Sequence, residues 1–495
     1  MLTGIVTLLV LCASLAERAW AGPRIEPLPS RPGVYAAYIK DPARLGFVPD
    51  HELFRTVFDR IESLHVDNPT PRELYKGVSR EVGALLKEAH VSSEALRSFR
   101  CDRSLPDRIG HAYARRIGAP LLWYAMVRGL FSGTGDPYSF LFTPKEYHSF
   151  KRALDSESFA GVGIFVELDP VAHHQLTVVE PVAGSPAARA GIMAGDRILD
   201  VNGHSTAGIS LEMAHTLIRG PVGSTVTLTI VHHGQRRPLS MLIRRARIRV
   251  PSISHHLLTH HVGYIRVRVF GEDTVPEFHA ALEDLRRAGA LALVIDLRNN
   301  GGGYMRDAID ICSMFLKRGQ VVTTIIDRHG RRHSYRAYYT REFTARPLVP
   351  TVLLVNAFSA SASEVTAGCL QDHHIATLVG TRTFGKGTMQ RLFTLPDGAA
   401  FKVSIDYFVT PHGHVIHHVG IRPQITVPMN SRWIDRGRHD VQLAEAVRVL
   451  REKLEREQTR RFARRRATER SFRRAPDYDH SWQREKQNRR ARMAR

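Results

Sequence analysis

Cysteine is scarce in this chain of 495 residues, occurring only as Cys12, Cys101, Cys312 and Cys369. Their spacing matches no zinc pattern, so neither a disulfide framework nor a zinc module organises the chain. Cys312 and Cys369 lie in apolar helical patterns and are expected as buried free thiols. Lysine is scarce as well: ten of the 70 basic residues are lysines, which makes any single lysine informative. Negative charge falls short of positive, 48 residues against 70, for a formal charge of +22. So strong an arginine bias reflects either an anionic partner or the base composition of the genome. Long apolar runs are missing too. The one conspicuous run, Ile5 to Ala13, is too short for a confident membrane span. Finally, no Gly-x-Ser-x-Gly elbow is present, which weakens the case for a Ser/His/Asp hydrolase.

The apolar run near the start fits a secretory signal over residues 1–21, with Ala19-Trp20-Ala21 as a small-x-small cleavage site before Gly22. Neither Lys nor Arg precedes it, an atypical feature. The expectation is an exported protein, periplasmic or associated with the cell envelope. Residues 22–155 form an arm and a helical region, in which Leu53, Phe54, Val57, Ile61 and Leu64 recur at helical spacing. Residues 88–120, with scattered charge and two prolines, read as an insertion. A further helix covers Leu121 to Phe131 and ends at the breaker-rich run Gly133-Thr134-Gly135-Asp136-Pro137.

Residues 156–248 change to short strands and glycine turns, and residues 249–450 to an α/β alternation. There, strands are expected at 262–269, 291–297, 320–327 and 351–356, and helices at about 274–287, 304–316 and 361–371. A strand pair at 390–409 and a helix at 440–457 follow. The tail, 451–495, carries 17 basic and 7 acidic residues and should be a solvated helix that frays.

Three pieces of the α/β region suggest one chemistry. The buried strand Val294 to Arg298 runs into Asn299-Asn300-Gly301-Gly302-Gly303, whose backbone N–H groups can turn outward to an anion. Val352 to Val355 leads to Ser359-Ala360-Ser361-Ala362-Ser363-Glu364 and a helix, which places a serine hydroxyl near a helix N-terminus. Lys386 stands between Gly385 and Gly387, with Gln390 four residues on. Each piece has a plain structural reading, as a helix cap, a glycine turn or a surface lysine. Gly380 to Lys386 nearly matches a phosphate loop, but Gly387 stands where Ser or Thr must hold magnesium, and a strand follows where a helix is needed. A nucleotide site is rejected.

Taken together and in this order, the runs at 133–139, 294–303, 359–364 and 384–390 closely resemble the carboxyl-terminal processing (tail-specific) proteases over about residues 121–430. The resemblance implies an α/β serine peptidase core (ClpP/crotonase-like), an inserted β-rich PDZ domain and an N-terminal helical region. By position it implies Ser361 as nucleophile, Lys386 as general base and Gln390 as the residue that orients the lysine. The N–H groups of Gly303 and Ala362 would form the oxyanion hole. Asp372 is a possible auxiliary, more readily structural, at the helix end. Gly301 replaces a proline frequent in the family. A serine hydroxyl needs a neighbour to take its proton, and a lysine can do so only where burial lowers its pKa.

Within 156–248, the run Gly195 to Gly203 and the loop Gly161-Val162-Gly163-Ile164 resemble a PDZ domain. Such a loop binds a terminal carboxylate through backbone N–H groups, and the peptide tail adds as a strand. Leu211, His215 and Ile218 are candidates to line the pocket for its last side chain. The 26 histidines include several adjacent pairs, which point to opposite faces of a strand and suit chelation poorly. Surface side chains are expected, with no metal and no cofactor. The expected partners are protein or peptide substrates held by their C-terminal tails, an anionic envelope surface for the basic tail, and a second copy in a homodimer. Nucleic acid is not expected. The alternative is a catalytically inactive PDZ-protease scaffold that binds envelope components.

Overall fold

The computed structural model describes residues 33–154, 159–169, 175–182, 184–338, 349–428, 440–474 and 479–493. The expected signal segment, residues 1–21, lies outside these. The N-terminal part is a cluster of helices: α1 (His51–Leu64), α2 (Pro71–Glu88), α3 (Glu94–Ser98), α4 (Leu105–Ile117), α5 (Ala119–Thr134) and α6 (Pro144–Leu154). Asp50 caps α1 by accepting the Leu53 N–H at 2.8 Å. Thr70 and Glu73 form a capping box on α2, with Pro71 in its first turn. Helices α2 and α5 touch backbone to backbone. A Cβ added to Gly77 would lie 2.2 Å from the Gly129 carbonyl oxygen, and one on Gly133 2.6 Å from the Leu74 Cα. That contact fixes where α5 ends, and so where Asp136 and Tyr138 emerge.

The insertion expected at 88–120 is not irregular. It folds into α3 and α4, with Pro106 in the first turn of α4 and Leu105, Ile109 and Tyr113 on one buried stripe.

The middle module carries the sheet order β3-β4-β5-β6-β7, from β3 (Ile164–Asp169), β4 (Gln175–Pro181), β5 (Arg197–Val201), β6 (Thr225–Val231) and β7 (Leu239–Arg244). It also has the helix α7 (Leu211–Ile218). A two-stranded ribbon, β2 (Phe159–Gly161) with β8 (Ala246–Ile248), joins the module to the rest of the chain. Among the described residues strand β3 pairs only with β4, so its other side is an open edge. Glu180 of this module forms an ion pair with Arg268 of the core, and the Arg268 guanidinium sits 5.7 Å from the Phe165 ring.

The core holds two sheets. One runs β9-β10-β11-β14-β15-β18, from β9 (Ile253–Leu257), β10 (Val262–Val267), β11 (Ala292–Asp296), β14 (Thr351–Val355), β15 (Ala376–Gly380) and β18 (Ile425–Thr426). All its pairings are parallel except β9 with β10. Helices α8 (Thr274–Arg287), α9 (Met305–Phe315) and α10 (Ala362–Asp372) follow β10, β11 and β14 in sequence, as crossovers between parallel strands require. Strands β11 and β14 are buried along their whole length, the run expected of a covered parallel sheet.

The second sheet is antiparallel and is built on β17 (Ala400–Val409). Around it lie β1 (Phe140–Phe142), β12 (Val321–Asp327), β13 (Arg332–Arg336) and β16 (Thr388–Thr394). Phe401, Val403 and Ile405 of β17 pack into the N-terminal helices, and Ser404 points the other way.

Helix α11 (Val441–Arg474) seats Ala446, Val449 and Leu450 on the parallel sheet, then continues well past the expected end near 457. A last helix, α12 (Asp479–Arg492), follows. Among the described residues no helix is long and apolar enough to cross a membrane.

Candidate active site

Strands β11, β14 and β15 are consecutive in the parallel sheet, and the loops after their C-terminal ends carry the three sequence pieces. That edge is where open α/β sheets place their ligands. The loops are lashed together from within. Asn300 donates through its side chain to the Val267 carbonyl at 2.9 Å and accepts the Ala360 N–H on its own carbonyl at 3.0 Å. The Phe384 N–H reaches the Ser359 carbonyl at 3.0 Å.

The serines of the 359–364 run have different roles. Ser359 is 0% exposed and donates its hydroxyl to the Leu297 carbonyl; Ser363, equally buried, donates to the Asn300 carbonyl. Ser361, which caps α10, is the one left partly open to solvent. Its backbone has φ 57° and ψ −116°, a combination L-residues rarely adopt. Turns strained in this way mark functional positions often enough to single it out.

Glu364, which the sequence reading did not assign a role, is the hub of the site. It is 0% exposed. One carboxylate oxygen accepts the Ser361 N–H at 2.9 Å and the Lys386 N–H at 2.8 Å. The other accepts the Thr383 hydroxyl at 2.6 Å and the Gly385 N–H at 2.7 Å. The serine turn and the lysine turn therefore share a single oxygen atom. Burial raises the Glu364 carboxyl above its ordinary value, against the pull of these hydrogen bonds.

Lys386 follows Gly385, whose φ is +90°. Gly387 lets the 417–420 loop close in, since a Cβ there would lie 2.4 Å from the His417 nitrogen. The lysine Nζ lies 5.1 Å from the centroid of the Tyr138 ring. Burial pushes its amine below the usual value, with the carboxylates of Asp136 and then Glu364 opposing. A lysine so placed can act as a base nearer neutral pH than a free one.

The expected oxyanion groups meet at the same place. Gly302 and Gly303 have φ of +99° and +145°. A Cβ on Gly302 would lie 2.8 Å from the Ser361 Cβ and 3.0 Å from the Ala362 nitrogen. The Gly302 N–H is spent on the Asn300 side chain at 2.8 Å. The N–H groups of Gly303 and Ala362 donate to no protein group among the described residues. Two unspent donors beside a serine at a helix N-terminus are the equipment for holding an oxyanion.

The other expected residues fall as follows. Gln390 lies on β16, but its amide nitrogen donates to the Thr388 carbonyl and hydroxyl, both at 2.8 Å, and to the Ser404 hydroxyl at 3.3 Å. Asp372 ends α10 and accepts the His412 N–H at 2.8 Å, with His414 Nδ1 3.5 Å from its other oxygen. These contacts bind a loop to a helix end. In the PDZ-like module, Gly161 closes β2, Val162 is buried and Ile164 opens the edge strand β3. Gly163, at φ +81°, accepts the Ser185 hydroxyl at 3.0 Å on its carbonyl. Leu211 and His215 of α7 are half-buried, whereas Ile218, 6% exposed, belongs to the core and can form at most a pocket floor. Histidine is not confined to the surface: the His65 side chain is fully buried. Among the described residues no group of three or more His, Cys, Asp or Glu could hold a metal.

Residues 261–427 match the family model of peptidase family S41, and residues 177–231 that of a PDZ domain. A carboxyl-terminal-processing protease of Synechocystis sp. is 37% identical over 333 residues, which cover 66% of this chain and 76% of that protein. The chain belongs to the carboxyl-terminal-processing proteases of family S41. This S41 chain is also 31% identical over 374 residues to the carboxy-terminal processing protease CtpB of Bacillus subtilis, covering 75% of the chain and 74% of CtpB. Its fold is similar to the crystal structure of a protein assigned to the S41 proteases from Bacteroides fragilis. The TM-score is 0.50 at 18% identity, over 64% of this chain and 87% of the other.

Proposed function

We propose that this S41 chain is an exported serine endopeptidase that cuts proteins near their C-termini with a Ser361/Lys386 dyad. The observation that carries the reading is the shared Glu364 oxygen, which locks a strained, open serine to a half-buried lysine beside two unspent N–H donors. In the reaction Ser361 Oγ adds to the scissile carbonyl carbon while its proton passes to Lys386 Nζ, and the carbonyl oxygen becomes an anion facing Gly303 and Ala362. The lysine ammonium then returns the proton to the departing amine, and water releases the acyl group by the reverse sequence.

The open edge of β3 beside α7 suits a substrate tail added as a strand, with its carboxylate at the Gly161–Ile164 loop. The basic tail would draw the enzyme to anionic envelope surfaces.

Ser361→Ala and Lys386→Ala, each with an unchanged melting temperature, are expected to abolish cleavage of an unfolded protein. Residual activity within tenfold of wild type in either would refute the dyad. Fractionation of cells expressing the full chain tests export, and recovery only with cytosolic markers would exclude it.

A further inference from the structure

Lys386 Nζ lies 5.1 Å from the Tyr138 ring centroid, and the Tyr138 N–H binds a second buried polar group, Asp136, that no part of the dyad reading uses. The Asp136 side chain is 6% exposed and that of His65 is 0%. Asp136 Oδ1 accepts the Tyr138 N–H at 2.8 Å, and Oδ2 accepts the Ser139 hydroxyl at 2.5 Å. His65 Nε2 stands 3.4 Å from Oδ2. His65 Nδ1 accepts the Asp67 N–H at 3.2 Å, which leaves the ring proton on Nε2, facing the carboxylate.

The cluster closes on itself. The Ser139 hydroxyl accepts the Ser404 N–H at 2.9 Å, and the Ser404 carbonyl accepts the Val66 N–H at 2.9 Å. The Ser404 hydroxyl accepts the Gln390 amide at 3.3 Å. Burial alone would raise the Asp136 carboxyl, yet the hydrogen bonds from the Ser139 hydroxyl and the Tyr138 N–H, with His65 and Ser404 close by, hold it well below the ordinary carboxylate range.

The geometry points to Asp136 as a positioning residue that extends the dyad to a relay of three. Its fixed carboxylate stabilises the ammonium that forms on Lys386 as Ser361 gives up its proton. This rests on the Ser361/Lys386 reading and deepens it. The parallel is with an aspartate behind a catalytic histidine, which stays ionised and stabilises the cation formed in front of it. It also gives Gln390 a path toward the lysine, through Ser404, Ser139 and Asp136.

Other groups bear on this pocket. Glu364 of α10, which accepts the Lys386 N–H, also favours the ammonium. Lys402 of β17, within 4.3 Å of the Phe140 ring centroid, competes with Lys386 for the same carboxylate. Tyr407 of β17 and His417 of the loop before β18 also feel the Asp136 charge. Tyr138 and His65 complete the surroundings.

The test is the pH profile of kcat/KM for an unfolded protein substrate, with the full chain as wild type, Asp136→Asn, Asp136→Glu and Lys386→Ala. Activity rises with pH as Lys386 loses its proton. Removing the Asp136 charge weakens the ammonium, so in Asp136→Asn the rising limb should move at least about one unit to lower pH. The plateau should fall about a hundredfold or more, because the cation formed in the transition state loses its support. Asp136→Glu keeps the charge and should keep the limb near its wild-type position with part of the plateau restored. A limb left in place by Asp136→Asn in a protein that melts like wild type overturns the proposal, whatever happens to the plateau. Should the amide variant fail to fold, Asp136→Ser, smaller and neutral, is read by the same criterion. Activity surviving in Lys386→Ala would instead overturn the dyad itself; an inactive Lys386→Ala with an unmoved Asp136→Asn limb overturns only the relay.

Discussion

Glu364→Gln tests whether one buried carboxylate assembles the site. The amide is nearly isosteric, so no cavity opens, but it offers one acceptor oxygen where the carboxylate offers two. Whichever way it turns, its NH2 must face two donors. These are either the N–H groups of Ser361 and Lys386 or the Thr383 hydroxyl and Gly385 N–H. A buried donor left without an acceptor costs about 1–3 kcal/mol, so losing two costs about 2–6 kcal/mol. The neutral amide recovers part of this, because burial already pushes the wild-type carboxyl up. A net loss of about 2–3 kcal/mol is therefore expected. Much of it should be avoided by letting the serine and lysine turns separate, which harms the reaction more than the fold. The assay pairs thermal denaturation with cleavage of an unfolded protein far below the melting temperature. A modest fall in melting temperature with at least a hundredfold loss of kcat/KM is the expected result. Activity within threefold of wild type would refute the reasoning, since the two turns would then hold their positions without the shared oxygen.

Gly302→Ala forces a Cβ to 2.7 Å from the Ala360 carbonyl at φ +99°, so kcat should fall at least a hundredfold with the fold retained; near-normal turnover would exclude a tight serine–glycine approach. Gly163→Val drives a side chain into Ser185, whose Cβ lies 2.3 Å from the added Cβ. It should narrow the several-fold preference expected for a substrate ending in a free carboxylate over its C-terminal amide, and equal rates for both substrates in the wild type would show that the module reads something else. Asp307 is 8% exposed, with Oδ2 unbonded, and burial, then Asp310, raises its carboxyl from 3.8 to about 7. The folded state thus holds a proton that the unfolded chain has lost, and stability falls as pH rises between 3.8 and about 7. Asp307→Asn should raise the melting temperature at about pH 8 and leave it unchanged below about pH 4; a gain of the same size at both would refute the titration.

The parts of the site read directly from the sequence were those written in consecutive residues. Glycines around Lys386 and at 301–303, and a serine at a strand-to-helix turn, announce themselves because backbone conformation and close approach are local demands. The strands expected at 291–297 and 351–356 appear as Ala292–Asp296 and Thr351–Val355 for the same reason. What escaped was everything joined across the chain. Glu364 looked like one more polar residue in a first helical turn, where a glutamate is ordinary, and its partners at 383, 385 and 386 lie on another loop. Gln390 was expected at the lysine, but β16 turns its amide toward Thr388 and Ser404. Ile218 fell to the core, together with Ala214, while Leu211 packs at that core's margin and His215 stays half-buried. The 88–120 segment was given no structure from sequence, and its prolines sit in first turns of helices, where a missing N–H costs nothing. The long tail helix outran its apolar period because arginine and glutamate favour helix without packing, aided by pairs such as Arg448 with Glu452.

The N-terminal helices are therefore joined to the candidate site by packing and hydrogen bonds and are not an appendage to it. Strand β17 is the shared wall: Phe401, Val403 and Ile405 are buried against the helices, while the Ser404 N–H donates to the Ser139 hydroxyl that bonds Asp136. The carboxylate behind Lys386 comes from the loop after α5, and the histidine behind that carboxylate caps α1. Where α5 stops is set by Gly77, Gly129 and Gly133, which let it lie against α2 with no side chain between. On the proposed relay, a substitution at that crossing would act on the lysine through the position of Asp136, 250 residues before Lys386 in the chain. Boundaries drawn by composition separate residues 22–155 from the peptidase core. The hydrogen bonds do not respect that division, because a buried carboxylate needs donors from every side, and here the helical half supplies most of them.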